Sequence, residues 1–190
     1  HKYDERGLRT DTIDPTRGHW QYHYNVNKQL EWQQDANGDR SVFSYDQLNR
    51  ITRLNTANST ICYQYPTELP LAEPSQVIQV AGNQDECVGH PVQYREDNTY
   101  QWPNGWLKQR DITLEDGKTQ STYYDYDLNG QVIKESTSSR LGNSFAIETA
   151  FKNGAAYKWS NAETGRVYKE ILSEDAQQRP THVRFGNGIE

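Results

Sequence analysis

The sequence predicts an all-β chain in which consecutive antiparallel β-hairpins form a curved, twisted repeat sheet. Three observations predict it. Tyr3, Tyr24 and Tyr45 are separated by 21 residues, and each is followed by Asp or Asn. The residues between them alternate polar and apolar, the period of a half-buried strand. Turn-forming clusters break the alternation at short intervals, Asn-Gly being the strongest hairpin signal because both residues tolerate positive φ.

The first unit runs from Tyr3 to Tyr24. Asp14-Pro15-Thr16-Arg17-Gly18 supplies its turn, and Trp20, Tyr22 and Tyr24 share one face of the returning strand. In the second unit Asn25, Asn27 and Lys28 are turn-like and Gln29 to Gln33 alternates. Asp35-Ala36-Asn37-Gly38 then makes a hairpin turn, and Ser41 to Tyr45 alternates on the way back. Moved on by 21 residues, Tyr22 falls on Phe43 and Tyr24 on Tyr45. Aligned rings on neighbouring strands contribute roughly 0.2–1 kcal/mol per pair. Strands of about 7 residues span roughly 24 Å, and hairpins that pair edge to edge make a sheet that grows by addition.

The pattern returns downstream. Tyr126-Asp127-Leu128-Asn129-Gly130-Gln131-Val132 matches Tyr45 to Ile51 position by position, with Glu115-Asp116-Gly117 as the preceding turn and Thr122 to Tyr126 as the returning strand. Glu174 to Thr181 is a worn copy leading into Phe185-Gly186-Asn187-Gly188, and a degenerate unit lies around Ala162 to Val167. Little reads as helix; only Ser173 to Gln178 has the composition for a helical turn.

Composition narrows the function. The net charge of -6 and pI near 5.4 provide no basic stripe for nucleic acid or an anionic membrane. No apolar run approaches the roughly 18 residues that span a bilayer, so no membrane insertion is expected. No signal peptide is visible, methionine is absent and the first residue is His1, which suggests an internal piece of a longer protein. Leu, Ile, Val and Phe make up roughly 17%, a level that hints at disorder, but 13 Tyr and 5 Trp reverse the suspicion. An aromatic ring buries a large area while its polar tip stays wet, which suits a thin sheet with a shallow core.

The YDxxGR-type units and the closing phrase RPTHVRFGNG resemble RHS/YD-repeat proteins. The matching positions are Tyr3, Asp4 and Gly7; Tyr24 and Asn25; Tyr45, Asp46 and Arg50; Tyr126, Asp127 and Gly130; and Asp175 with Arg179. Lys28, Asn49 and Gln178 stand at the family's glycine position, and Glu174 replaces its tyrosine. The resemblance implies a fragment of an RHS-type β-shell: in bacterial polymorphic toxins and insecticidal toxin complexes such repeats enclose a toxic C-terminal domain, and teneurins use a similar barrel in adhesion. It also implies a secreted or cell-surface bacterial location. The implied partners are the rest of the parent RHS protein and its C-terminal toxin domain.

The repeats divide the chain into hairpins at 1–56, an irregular insertion or degenerate repeat at 57–99, and degenerate hairpins at 100–190. In the middle segment Pro66, Pro70 and Pro74 are incompatible with a central strand, whereas Val77 to Val80 fits a short one. Cys62 and Cys87 bracket most of it. Export of the family implies a disulfide between them, closing a loop of about 26 residues and stabilising by roughly 3 kcal/mol; two unpaired thiols are the other reading.

The sequence carries few groupings suited to catalysis or metal binding. His19 and His23 are four apart, but on a strand they stand about 13 Å from one another, too far to chelate one ion. Asp35 to Asp39 hints at a calcium loop, yet its glycine is at the wrong position and a hairpin turn explains it. Asp125 and Asp127 flank Tyr126 and fit turn formation better than acid–base work. No nucleophile motif or phosphate loop is present, and neither is the DPxGL-type terminus at which RHS shells cleave themselves. No catalytic residue, metal or cofactor is therefore assigned, and the expectation is a non-enzymatic structural fragment. The alternative is an extracellular carbohydrate- or receptor-binding module. Its candidate residues are Tyr100, Trp102 and Trp106, whose rings sit beside a turn and not inside a ladder. The competing reading is that the aromatics pave the sheet's buried or lumen-facing side.

Overall fold

A computed structural model describes residues 1–68, 72–139 and 144–189. Among the described residues there are sixteen strands and no helix. They are β1 (Lys2–Tyr3), β2 (Arg9–Asp14), β3 (Gly18–Tyr24), β4 (Leu30–Gln34), β5 (Arg40–Tyr45), β6 (Ile51–Asn55), β7 (Ser59–Gln64) and β8 (Gln76–Ala81), then β9 (Val92–Gln101), β10 (Trp106–Leu114), β11 (Thr119–Tyr126), β12 (Val132–Ser139), β13 (Ser144–Lys152), β14 (Ala155–Asn161), β15 (Val167–Glu174) and β16 (Pro180–Phe185). The chain forms two compact units, His1–Asp97 with Thr113–Gly117, and Asn98–Ile112 with the residues from Lys118 onward.

In the first unit each strand pairs antiparallel with its neighbour in the chain. Period-2 alternation gives the two faces different contents. Tyr22 pairs with Gln33 and Gln33 with Ser41, so Phe43, two residues on, shares the face of Tyr22. That row continues through Leu54, Ile61, Gln79 and Tyr94. The other face carries His23, Trp32, Val42, Asn55, Thr60 and Val80 in successive registers. Trp32 is thus on the face opposite Tyr22.

The ladder continues through residues 57–99 as β7, β8 and the start of β9. Pro66 and Pro74 lie between β7 and β8, where no strand amide is needed, and Pro70 lies outside the described residues. Here the sheet gains its best-buried spot. The connection from Gly82 to Pro91 folds over the face of Asn55, Thr60 and Val80, leaving Thr60 and Val80 at 0% exposure. Asn55 Nδ2 donates to Asn83 Oδ1 at 2.7 Å and to the Gln84 carbonyl at 2.6 Å. The Thr60 hydroxyl donates to the Gly82 carbonyl at 3.0 Å and accepts the Gln84 amide at 2.8 Å. A polar pair this deep is tolerated because its hydrogen-bonding groups find partners.

In the second unit β11 to β16 also pair in chain order. One face carries Tyr124, Glu135, Ile147 and Asn161 in register; the other carries Asp125, Lys134, Glu148 and Ser160, so charge alternates in sign from Asp125 to Glu148. Opposite charges directly across a ladder support the pairing. Ser173 and Glu174 end β15, and Asp175 to Arg179 is a turn of the repeat type, not helical, because the Asp175 carboxylate binds two of its amides. Ala146 is buried, but among the described residues of this unit no large side chain is, so the core is shallow.

Candidate functional site

The repeated residues build one recurring structure. At Asp4, Asn25, Asp46, Asp127 and Asp175 the backbone amide donates to the carbonyl four residues on, and the amide three residues on donates back. The side-chain Oδ1 accepts the amides of the residues two and four places later: Arg6 and Leu8, Asn27 and Gln29, Leu48 and Arg50, Asn129 and Gln131, Gln177 and Arg179. A short acceptor side chain one carbon from the backbone is needed for this, hence Asp or Asn. Asp35, at the opposite end of its hairpin, makes the same turn to Asn37 and Asp39.

The fourth residue of each turn adopts a left-handed backbone. Gly7 and Gly130 have φ of 78° and 81°, and Lys28, Asn49 and Gln178 stand at 62°, 69° and 60°. The turn geometry therefore persists where glycine does not. The second carboxylate oxygen is free for a cation: Arg50 reaches Asp46 Oδ2 at 2.7 Å and Arg179 reaches Asp175 Oδ2 at 2.6 Å. The backbone amides of Leu8, Arg50 and Arg179 hold Asp4, Asp46 and Asp175, respectively, below the usual carboxylate range, with their arginines adding to the effect.

The tyrosine before the turn ties it to the sheet. Tyr45 Oη donates to the Leu30 carbonyl at 2.9 Å, and Tyr126 Oη to the Leu107 carbonyl at 2.7 Å. Tyr65 does the same to the Ile51 carbonyl at 2.8 Å, and the Arg50 guanidinium lies 4.1 Å over its ring. Burial raises the pKa of all three hydroxyls. Tyr65 is a repeat tyrosine that sequence reasoning missed. It follows Tyr45 by 20 residues, a spacing that could have found it, but Pro66 stands where Asp is usual.

Tyr100, Trp102 and Trp106 have three different environments. Trp102 is at the tip of the β9–β10 hairpin, 71% exposed, and its bond to Pro103 is cis. Trp106 is half-buried, 5.1 Å from the Tyr126 ring at 36°, and a Cβ on Gly130 would come within 2.9 Å of its Cζ2. Tyr100 is half-buried in β9. Trp106 thus fills space against a repeat turn, while Trp102 alone presents its ring to solvent.

Cys62 and Cys87 form a disulfide with Cα atoms 6.2 Å apart, clipping the Gly82–Pro91 connection to β7. His19 Nε2 is 2.9 Å from Asp11 Oδ1, and His23 Nδ1 is 3.1 Å from Glu31 Oε2. His23 stacks on Trp32 at 5.5 Å and 3°, with the Arg40 guanidinium 4.1 Å from the Trp32 ring. Among the described residues no group of three or more His, Cys, Asp or Glu side chains is arranged to hold a metal ion. Asp125 is within β11 and Asp127 in the turn beyond it, so the two carboxylates do not share a strand.

No family model matches the chain, and no curated protein does. Solved structures do. The Tc holotoxin pore of Photorhabdus luminescens, bearing a mutation in TccC3, matches over 98% of this chain and 11% of its own, at 14% identity and a TM-score of 0.55. TcdB2-TccC3 without its hypervariable C-terminal region matches over 99% of this chain and 12% of its own, at 14% identity and a TM-score of 0.57. The chain therefore spans about a ninth of the length of the chains it matches and shares the fold of the part it covers.

Proposed function

We propose that the chain is a non-enzymatic structural piece of an exported or surface-located bacterial RHS/YD-repeat protein, part of a β-shell that encloses or presents a toxin domain. Its partners are then the remainder of the parent polypeptide and that domain, and it needs no cofactor. The observation that supports this best is the use of the repeat's polar side chains. The Asp of each turn is spent on its own amides, and Tyr45, Tyr65 and Tyr126 are spent on the carbonyls of neighbouring strands. Groups that could act on a ligand hold a sheet together instead. The fold shared with the Tc toxin structures is consistent with this role.

The test uses the natural polypeptide in which this segment lies. Limited proteolysis should leave the sequence on the C-terminal side of the repeats resistant, and Asp46→Ala with Asp127→Ala should open it to cleavage. A C-terminal sequence cut at the same rate in both proteins would refute enclosure. The exposure of Trp102 favours the second reading, a carbohydrate- or receptor-binding module, because a solvated indole is a platform for the apolar face of a sugar. Binding on a glycan array that Trp102→Ala abolishes would replace the shell reading with this one; silence on the array leaves the shell reading in place.

A further inference from the structure

Five Asn-Gly steps occur in the chain, at Asn37, Asn104, Asn129, Asn153 and Asn187. Glycine offers no side chain to shield its nitrogen, so each step is chemically open to attack of that nitrogen on the asparagine side-chain carbonyl. The attacking amide must first lose its proton to solvent, as in hydrogen exchange, and an amide engaged with an acceptor is protected from this. Four of the five are engaged. Gly38 donates to the Asp35 carbonyl at 3.2 Å, Gly105 to Gln101 at 2.8 Å, Gly130 to Asp127 at 3.2 Å and Gly188 to Phe185 at 2.9 Å.

Asn153-Gly154 differs. It is the two-residue loop of the β13–β14 hairpin, set by the pairing of Lys152 with Ala155, with φ of 52° at Asn153 and 80° at Gly154. In such a turn both loop amides point away from the ladder. Among the described residues the Gly154 amide has no acceptor and the Asn153 side chain no hydrogen-bond partner, and both residues are exposed. Among the described residues nothing lies within 4 Å of where a Cβ on Gly154 would be, so the space around the loop is open.

We propose that Asn153 is the chain's selective site of spontaneous deamidation and isoaspartate formation. The Gly154 nitrogen, having given its proton to water, bonds to Asn153 Cγ; the Cγ–NH2 bond breaks and ammonia leaves, carrying the proton returned by solvent. Water then opens the cyclic imide at either carbonyl. One opening yields aspartate. The other yields isoaspartate, which carries the main chain through Cβ and adds a backbone atom to a loop with room for two residues. Gln131 Nε2 donates to the Gly154 carbonyl at 2.8 Å, so the altered loop also disturbs a tie to the repeat turn at Asp127.

The experiment incubates the folded chain at mildly alkaline pH and follows each Asn-Gly step by peptide mapping, with a denatured sample in parallel. In the folded chain Asn153 should convert about fivefold faster than the other four, the rate cost of opening one hydrogen bond of roughly 1 kcal/mol. In denaturant the five should converge. Gly154→Ala should slow conversion at Asn153 in the folded chain while leaving the other four unchanged. Equal rates in the folded chain, or Asn37 or Asn104 leading, would overturn the proposal, as would a folded-state preference that survives denaturation.

Discussion

The Tyr45 hydroxyl donates to the Leu30 carbonyl at 2.9 Å, joining the end of β5 to the start of β4. A strand-end carbonyl would otherwise have to find water, and a half-buried phenol would lose its own partner. Tyr45→Phe should therefore cost about 1 kcal/mol, one net hydrogen bond, and Tyr65→Phe and Tyr126→Phe the same. Urea unfolding of the three variants measures this. A loss several times smaller at Tyr65 would show that the latch does not operate where Pro66 replaces the aspartate.

Acid should weaken the turns. Asp4, Asp46 and Asp175 have folded-state pKa values below the usual carboxylate value, and Asp11, Asp14 and Asp97 are lowered too. A lowered folded value means that the unfolded chain binds protons first. The stabilisation is then fully present above the ordinary value of about 3.9 and disappears as pH falls through the folded values. The urea midpoint should be flat from about pH 7 to pH 5 and drop steeply below about pH 4. Asp46→Asn keeps the Oδ1 acceptor, as Asn25 does naturally, but removes the charge facing Arg50. It should make the drop shallower, and an unchanged slope would show that Asp46 does not contribute.

The fold was legible because its determinants are local. Alternation puts Trp20, Tyr22 and Tyr24 on one face, Asp35 to Gly38 can hardly do other than turn, and each hairpin then pairs with the next. What stayed hidden depends on partners distant in sequence or on the relation of one strand to the next. Nothing near Trp106 announces that Tyr126 and Gly130 will pack on it. Alternation within a strand does not say which side the neighbouring strand will share, so Trp32 gave no sign of lying opposite Tyr22. The covering of Thr60 by Gln84 was likewise out of reach, because prolines between them read as an interruption of the sheet and not as a detour from it.

Left-handed backbone positions held by large residues are sites of avoidable strain. An L-residue with a Cβ in this region costs about 1 to 2 kcal/mol relative to glycine, part of which is offset by glycine's freedom when unfolded. Lys28→Gly and Gln178→Gly should each stabilise by up to about 1 kcal/mol, and Asn49→Gly by less, since asparagine tolerates the conformation. The reverse change discriminates between strain and crowding. Gly117→Ala meets open space and should lose only the backbone term, whereas Gly130→Ala also drives a methyl to 2.9 Å from Trp106 and should lose more. Thermal unfolding of the two alanine variants gives the comparison, and equal losses would mean that Trp106 yields freely.

The Cys62–Cys87 bond should be worth about 3 kcal/mol to the first unit, the chain-entropy value for linking two residues 25 positions apart. It has help, since Asn55 and Thr60 hold Gln84, and Arg53 donates to the Asp85 carbonyl. Cys62→Ser with Cys87→Ser should therefore lower stability without unfolding the sheet outright. The loss should be seen first in the Gly82–Pro91 connection, which becomes the preferred site of proteolysis and uncovers Val80. Adding Asn55→Ala removes a second tie on the same segment, so its effect should be larger in the serine variant than in the bonded protein, the coupling expected of groups that restrain one element. If the two changes simply add, the connection is not held as a unit and the bond acts only on the unfolded chain.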